Sequence, residues 1–254
     1  MKTVYLFDVD GTIVDSGQKI TVEMATILNE IKQHSEIGIV GGGKLDKILE
    51  QMDNKVYFTH YFSECGCVYT KNESYNSNIL QELYKKNLRE HPLYNEINIL
   101  IKQCLYFLSK TDYTLTGHFI DLRNGIIYIS LIGLTATQKE REYFIGKNNK
   151  HNYRTQLINS LKQLATELNV VDKVDIVEGG SVGIAIYPSE YDKTQILDMF
   201  SDTEYKTIYY FGDKYEENGN DFNLLNHKKV IGIKVDNYHD TIKELNKLNK
   251  HAIF

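Results

Sequence analysis

Two carboxylates near the start of the chain, Asp8 and Asp10, are the residues best suited to chemistry. They follow the apolar run 4–7, which predicts a short buried strand with both side chains at its carboxyl end. In open α/β sheets that end faces the ligand crevice. Paired carboxylates there could bind a hard cation such as Mg²⁺. One could also attack phosphorus while the other moves a proton. An acidic turn before Gly11 explains the same residues without any activity, because Asp-Gly pairs mark turns.

Further charged residues lie close to a second strand end. Asp213 follows a late strand-like run, and Asp221 comes soon after it. In a parallel sheet these residues can converge with Asp8, and clustered carboxylates would repel one another without a cation. Lys193 begins a predicted helical run, 194–200, from which it could neutralise Asp8 or a phosphoryl group. A solvated surface lysine is the simpler alternative.

Apolar periodicity predicts the elements that position these residues. Strand-like runs cover residues 4–7, 37–40, 208–211 and 230–235. Helical spacing covers residues 21–33, 45–52 and 242–248. Strands and helices that alternate in this order predict a parallel sheet covered by helices.

The middle of the chain has a different pattern. Strand-like runs at 113–123 and 126–134 are joined by Asn124-Gly125, a strong hairpin signal. Leucines at helical spacing cover 157–168, strand character returns over 174–187, and the charged stretch 147–151 is expected to be a solvated loop. We therefore predict a parallel-sheet core formed by residues 1–83 and 188–254, with an antiparallel α+β domain inserted at 84–187.

Composition narrows the class of protein. The chain has 254 residues and a net charge of −5, with no long basic run, so nucleic acid is not an expected partner. Cys65, Cys67 and Cys104 have no zinc-site spacing and are expected to be small buried side chains. No signal peptide and no apolar stretch of membrane-spanning length is evident. We expect a soluble cytoplasmic protein that does not bind membranes.

Several ordered stretches carry a resemblance to a known family. The run FDVDGT at residues 7–12 resembles the first motif of the haloacid dehalogenase (HAD) superfamily of phosphotransferases. Over nearly its whole length the chain resembles the eukaryotic-type phosphomannomutases, through residues 18–21, 38–42, 119–125, 206–214 and 219–221. The resemblance implies a Rossmannoid parallel-sheet core with an inserted α+β cap that closes over the crevice. It also implies a homodimer formed through the caps.

The resemblance also implies roles for the acidic residues and the lysine. Asp8 would be the nucleophile that forms an aspartyl-phosphate, and Asp10 the general acid/base for the sugar hydroxyl. Mg²⁺ would be held by Asp8, the backbone carbonyl of Asp10 and Asp213, with Asp221 in the same metal site. Lys193 matches the motif lysine of the family.

Substrate-binding positions are implied in the same way. Gly42 and Gly43 would cradle the transferring phosphoryl group with backbone N–H groups. Arg123 and Arg141 would bind the phosphate that is not reacting, because a planar guanidinium can hold phosphate in a bidentate grip. A strand-edge charge explains Arg123 equally simply, and a helix-surface ion pair explains Arg141. A hexose 1,6-bisphosphate would be the activator.

Departures from the family pattern concentrate where the sugar and its phosphates should bind. Leu134 replaces a phosphate-binding arginine, and Gly183 and Ala185 replace a serine and an aspartate that meet the sugar. Gly43 replaces a serine of the second motif. His227 replaces an aspartate in a loop expected to bind a second cation. The transfer chemistry is therefore retained, while the recognition of the hexose is depleted.

Three functions remain open from the sequence. The first is a phosphomannomutase-like isomerase that interconverts mannose 6-phosphate and mannose 1-phosphate. The second is a phosphatase or phosphotransferase acting on another small phosphorylated substrate, with water or another acceptor at the same site. The third is a non-catalytic binding relative. Retention of Asp8, Asp10, Asp213 and Lys193 together disfavours the third.

Overall fold

The computed structural model describes residues 1–217 and 219–251. They form two compact units: unit 1 comprises Met1–Lys85 and the chain from Lys193 onward, and unit 2 comprises Lys86–Asp192. The insertion predicted from the sequence, residues 84–187, starts and ends slightly earlier than unit 2.

Strands and α-helices are numbered along the described chain. The strands are β1 (Lys2–Phe7), β2 (Glu36–Val40), β3 (His60–Ser63), β4 (Val68–Asn72), β5 (Leu80–Lys85), β6 (Ile120–Leu122), β7 (Ile127–Ser130), β8 (Val174–Gly179), β9 (Gly183–Pro188), β10 (Tyr205–Gly212) and β11 (Ile231–Lys234). The helices are α1 (Val22–Ile31), α2 (Leu45–Met52), α3 (Tyr94–Leu108), α4 (Gln138–His151), α5 (Tyr153–Glu167), α6 (Phe222–Leu225) and α7 (Tyr238–His251).

A seven-stranded sheet lies at the centre of unit 1, in the order β11-β10-β1-β2-β3-β4-β5. The five strands from β11 to β3 pair in parallel, whereas β4 and β5 continue the sheet as an antiparallel hairpin. The predicted α/β class with a parallel core is confirmed. The antiparallel extension was not predicted.

Strand β1 is buried on both faces of this sheet. Leu6 and Phe7 are completely excluded from solvent and belong to different hydrophobic clusters. Because alternate side chains point to opposite faces, both faces of β1 must be covered. This explains why the strand reads as a continuous apolar run rather than as an alternating pattern.

Unit 2 contains a four-stranded antiparallel sheet in the order β6-β7-β9-β8. Apolar side chains of α3 and α5, together with Phe144 of α4, pack into one hydrophobic cluster with the inward side chains of this sheet. The combination of antiparallel strands and helices matches the α+β character predicted for the middle of the chain.

Two local predictions in unit 2 are wrong. Residues 113–119 were expected in a strand, but β6 contains only Ile120–Leu122. Gly117 and His118 have φ angles of +96° and +52°, which break an extended conformation. The stretch 147–151 was expected to be a loop, but it forms the last turns of α4. That helix begins with a capping box, and its basic C-terminal residues suit the helix dipole.

Among the described residues, we find no helix with both the length and the apolar character needed to cross a membrane.

Candidate active site

Two neighbouring strand ends bring the first acidic residues together. Asp8 follows β1 and Asp213 follows β10, and these strands pair in parallel with Phe7 opposite Phe211. The backbone N–H of Asp8 donates to the carbonyl oxygen of Phe211 at 2.9 Å. The predicted convergence of Asp8 with Asp213 therefore follows from the register of two adjacent strands.

A tight turn after β1 makes room for Asp213. Gly11 has a φ of +88°, a conformation that side chains rarely adopt. A Cβ at Gly11 would lie 2.5 Å from Oδ2 of Asp213. Gly11 is thus required both by its backbone conformation and by the close approach of this carboxylate.

Lys193 joins the acidic residues through a buried ammonium group. It begins the 3₁₀ helix Lys193–Met199, where the sequence predicted a helical run over 194–200. Its Nζ lies 2.5 Å from Oδ1 of Asp8 and 2.6 Å from Oδ1 of Asp221. The hydroxyl of Tyr210 lies 3.2 Å from the same Nζ. The surface alternative for Lys193 is therefore wrong, because its side chain is only 1% exposed.

Asp221 orients Lys193 with both of its oxygen atoms already in use. Its Oδ1 accepts from Lys193 and from the hydroxyl of Tyr210, and its Oδ2 accepts from the backbone N–H of Lys214 at 3.0 Å. The residue is completely buried. A Cβ at Gly212 would lie 2.7 Å from its Cγ, so the glycine at the end of β10 admits this carboxylate.

Burial dominates the electrostatics of this cluster. Burial raises the pKa of Asp8 to about 8; Lys193 opposes the shift, and the negative charges of Asp221 and Asp213 add to it. Burial also raises the pKa of Asp213, against the attraction of Lys214. For Lys193, burial favours the neutral amine, but Asp221 and Asp8 outweigh it and raise the pKa well above its usual value. Lys193 is therefore an ammonium ion at neutral pH.

Three carboxylates fit a divalent cation. One oxygen from each of Asp8, Asp213 and Asp221 lies within 4.8 Å of the other two. Oδ1 of Asp213 is buried and has no hydrogen-bond partner among the described residues, so it is available as a ligand. All three donors are the carboxylate oxygens that Mg²⁺ prefers. The donor set therefore suits Mg²⁺, with Asp8 and Asp213 better placed to bind it directly than Asp221.

The carboxylate of Asp10 does not join this cluster. Oδ1 accepts from the backbone N–H of Gly17 and from Nε2 of Gln51, both at 2.8 Å, and Oδ2 lies 3.1 Å from Nζ of Lys47. Burial alone would raise the pKa of Asp10, but Lys47, Gly17 and Gln51 outweigh it and lower the pKa. Any role of Asp10 as a metal ligand rests on its backbone carbonyl, as the resemblance implied.

Gly42 and Gly43 lie in the loop between β2 and α2. A Cβ at Gly42 would lie 3.8 Å from both Nδ2 of Asn220 and Sγ of Cys65, so this part of the loop faces the Asp221 segment. A Cβ at Gly43 would lie 3.6 Å from Cδ of Lys47. The predicted phosphate cradle thus lies among residues of unit 1 that also carry the acidic cluster.

The two arginines predicted to bind phosphate lie in unit 2. Nε of Arg123 lies 2.8 Å from Oδ2 of Asp121, and its guanidinium stacks 5.0 Å from the ring centroid of Tyr128. Arg141 donates from Nε to the carbonyl of Ala136 and from Nη2 to the carbonyl of Leu134. Arg141 is therefore bonded to the loop before α4 rather than to a helix-surface acid.

Tyr128 fills the space beside one of the replaced sugar-binding positions. A Cβ at Gly183 would lie 2.4 Å from the carbonyl oxygen of Ile129 and 2.5 Å from the hydroxyl oxygen of Tyr128. The hydroxyl of Tyr128 donates to the carbonyl of Gly179 at 3.1 Å. A side chain at position 183 would therefore collide with this ring and with the backbone of β7.

Sequence reasoning missed four residues of the site in unit 1: Lys47, Gln51, Tyr210 and Lys214. Tyr210 lay within an apolar strand run, where its hydroxyl gives no separate signal. Gln51 is a buried polar residue on the amphipathic helix α2, and a polar residue within the apolar face of a helix is the signal that could have identified it.

The chain is similar to curated phosphomannomutases over most of its length. Phosphomannomutase of Encephalitozoon cuniculi is 32% identical over 98% of the chain and 94% of the relative. Phosphomannomutase 1 of Dictyostelium discoideum is 34% identical over 90% of the chain and 88% of the relative.

Solved structures share the fold. The trehalose-6-phosphate phosphatase C-terminal domain of C. albicans has a TM-score of 0.62 at 15% identity. The match covers 97% of this chain and 92% of that domain. The D172N mutant of the IMP-nucleotidase of Plasmodium falciparum has a TM-score of 0.68 at 14% identity. The match covers 98% of this chain and 67% of that chain. The model of the eukaryotic phosphomannomutase family matches residues 24–251, and the chain belongs to that family.

Proposed function

We propose that this protein is a Mg²⁺-dependent phosphotransferase of the phosphomannomutase type, which transfers a phosphoryl group through an aspartyl-phosphate on Asp8. The observation that carries the proposal is the buried contact of Lys193 with Asp8, beside Asp213 and Asp221. A cluster of charges excluded from solvent is costly to maintain and is typical of a functional site. Membership of the family and the curated relatives support mannose phosphates as the substrates.

Each residue has a defined part in the proposed reaction. Asp8 attacks phosphorus, and Lys193 orients its carboxylate and offsets negative charge. Asp213, with Asp8 and the backbone carbonyl of Asp10, holds the cation, which supplies positive charge against the phosphoryl oxygens. Asp10 gives a proton to the departing sugar oxygen, and takes one from the sugar hydroxyl in the second half-reaction.

Further parts of the proposal rest on the resemblance. Gly42 and Gly43 bind the transferring group, and Arg123 and Arg141 bind the distal phosphate. A hexose 1,6-bisphosphate is the activator, and the protein acts in the cytoplasm as a homodimer formed through residues 84–187.

A phosphatase acting on another small phosphorylated metabolite is the second candidate. It is favoured by Gly183 and Ala185, which present no polar side chain, and by apolar Leu134. Water in place of a sugar hydroxyl would then hydrolyse the aspartyl-phosphate at the same site.

One assay separates the two candidates. The protein is incubated with mannose 1-phosphate and Mg²⁺, with and without hexose 1,6-bisphosphate, and both mannose 6-phosphate and inorganic phosphate are measured. A mutase forms the isomer faster when the bisphosphate is present. Release of inorganic phosphate without isomer would favour the phosphatase, and absence of both products would contradict the mannose assignment.

A further inference from the structure

The carboxylate of Asp10 is held by side chains of helix α2. Nε2 of Gln51 donates to its Oδ1 at 2.8 Å, and Nζ of Lys47 donates to its Oδ2 at 3.1 Å. The backbone N–H of Gly17 is a third donor, at 2.8 Å from Oδ1. With partners on both oxygen atoms, the carboxylate has its orientation fixed as well as its position.

Lys47 and Gln51 act from one face of α2. They are four residues apart, so their side chains lie one above the other on the helix. Gln51 is buried, and the side chain of Lys47 is half-exposed. Lys47 also lies beside Gly43, since a Cβ placed at Gly43 would be 3.6 Å from its Cδ. The pair therefore reaches Asp10 from α2, whereas Lys193 reaches Asp8 from a different element.

Gln51 also connects Asp10 to the loop that follows the first motif. Its side-chain Nε2 lies 3.4 Å from the carbonyl oxygen of Gln18, and its backbone carbonyl accepts from the N–H of Ile20 at 2.8 Å. The same side chain thus contacts the carboxylate and the loop that supplies the Gly17 donor. A role in loop structure alone would explain the two loop contacts, but not the bond to Oδ1 of Asp10.

We infer that Lys47 and Gln51 are positioning residues that hold the carboxylate of Asp10 against the sugar oxygen, where it accepts the proton of the attacking hydroxyl. The inference rests on the proposed function. As the hydroxyl oxygen of the sugar bonds to the phosphorus of the aspartyl-phosphate, its proton transfers to the carboxylate of Asp10, and the bond from phosphorus to Asp8 breaks with its electron pair left on Asp8. Transfer from a sugar bisphosphate to Asp8 is the reverse of this step, in which Asp10 returns that proton to the departing sugar oxygen. Correct placement of a proton donor matters when the leaving group is an alcohol, and little when it is a stable anion.

Phosphorylation of Asp8 by two donors tests this difference. In rapid-quench experiments with Mg²⁺, labelled acetyl phosphate and labelled hexose 1,6-bisphosphate are compared as donors, and protein-bound label is counted. Acetate leaves as a stable anion, whereas the sugar needs a proton. We expect K47M and Q51L each to reduce labelling by the bisphosphate about 10-fold or more, since general acids contribute about 10²–10⁴-fold in rate. Labelling by acetyl phosphate should stay within about twofold of the original protein, since it needs no general acid.

Two further variants complete the test. K47R should recover most of the labelling by the bisphosphate, because a guanidinium can still donate to Asp10. K19M is the matched control, since Lys19 forms a comparable ion pair with Asp53, 2.6 Å apart, at the end of the same helix. Equal losses with both donors in K47M and Q51L would show a purely structural role and overturn the inference, as would no loss with either donor.

Labelling of the unmodified protein by the two donors tests the proposed function separately from this inference. If acetyl phosphate labels it but the hexose bisphosphate does not, mannose is the wrong substrate. Phenyl phosphate then replaces the bisphosphate as the donor with a poor leaving group, and the same comparison decides the roles of Lys47 and Gln51. If no donor labels the protein, both the proposed function and the inference are wrong.

Discussion

Lys193 and Asp8 lie 185 positions apart in the chain, yet they form an ion pair with Nζ 2.5 Å from Oδ1. Lys193 is 1% exposed and Asp8 is 7% exposed, so water screens neither charge effectively. Removing one partner of such a pair leaves an uncompensated buried charge, which costs far more than breaking an exposed pair. The site is therefore a determinant of stability as well as of chemistry.

Replacement of Lys193 should destabilise unit 1. We expect K193M to lower the free energy of unfolding by about 3–5 kcal/mol, because the completely buried carboxylate of Asp221 loses its cation. Urea denaturation at neutral pH in metal-free buffer measures the change. K229M is the control, since Lys229 and Asp202 form an ion pair whose side chains are 38% and 79% exposed, and its loss should cost about 1 kcal/mol or less. Equal stability of K193M and the original protein would contradict the account.

The free energy of unfolding should fall in acid as Glu36 is protonated. Glu36 is the first residue of β2. Its carboxylate lies 2.9 Å from Nε2 of His60, 2.8 Å from Nζ of Lys2 and 2.6 Å from the hydroxyl of Tyr205. Burial opposes ionisation, but these three partners outweigh it and lower the pKa of Glu36 from 4.5 to about 2. The stabilisation is therefore complete above the unfolded pKa and is lost as the pH falls towards the folded one.

The variant E36Q measures this contribution directly. At pH 7 it should lower the free energy of unfolding by on the order of 1–2 kcal/mol, because charge-assisted hydrogen bonds are lost. Urea denaturation at pH 7 and at about pH 3 should show that the cost shrinks in acid, as linkage requires. E30Q, at an exposed position of α1, serves as the control. A cost for E36Q that does not change with pH would rule out this source of acid sensitivity.

Replacement of Gly183 by serine should destabilise unit 2. Its Cβ would meet the carbonyl oxygen of Ile129 at 2.4 Å and the hydroxyl of Tyr128 at 2.5 Å. We expect G183S to lower the free energy of unfolding by about 1–3 kcal/mol, the range for overpacked sites. Adding Y128A should recover only part of the loss, because the backbone contact remains. G146S, where a Cβ would meet nothing within 4 Å, is the thermal-denaturation control. A fully stable G183S would contradict the tight packing.

Leu134 offers a test of substrate recognition. Nη2 of Arg141 donates to the carbonyl of Leu134 at 2.9 Å, so L134R would place a second guanidinium on the same loop. We expect the KM for a hexose phosphate to fall about 10-fold, since one charged hydrogen bond contributes about 1.5–3 kcal/mol. T135R, at the neighbouring exposed position, controls for added charge. An unchanged KM in L134R would favour a pocket that binds another metabolite.

The acidic site was predictable because strand pairing is a strong constraint. Asp8 and Asp213 each follow an apolar run, and the carboxyl ends of adjacent parallel strands meet at one edge of the sheet. The position of Lys193 at a predicted helical run and the family resemblance both indicate a role beside Asp8, but its burial was not predictable, because a lone lysine in the sequence carries no sign of burial. The contact between Gln51 and Asp10 was not predictable, since it depends on the orientation of side chains in two separate segments.

Local geometry explains the errors in the fold. The β4–β5 hairpin was missed because the exposed residues of β5 give no buried-strand pattern. The strand expected over 113–119 contained the apolar residues of a strand, but positive φ angles at Gly117 and His118 prevent one. The polar residues of the last turns of α4 predict a loop, although the capping box at Thr137 and Glu140 begins a helix that includes them.

Identification of the phosphorylated residue tests the central claim most directly. The protein is mixed with labelled hexose 1,6-bisphosphate and Mg²⁺, quenched in acid, digested and mapped by mass spectrometry. The account predicts a hydroxylamine-sensitive phosphoryl group on Asp8, dependent on Mg²⁺ and absent from D8N. Phosphate on any other residue, or turnover of the bisphosphate by D8N, would contradict it.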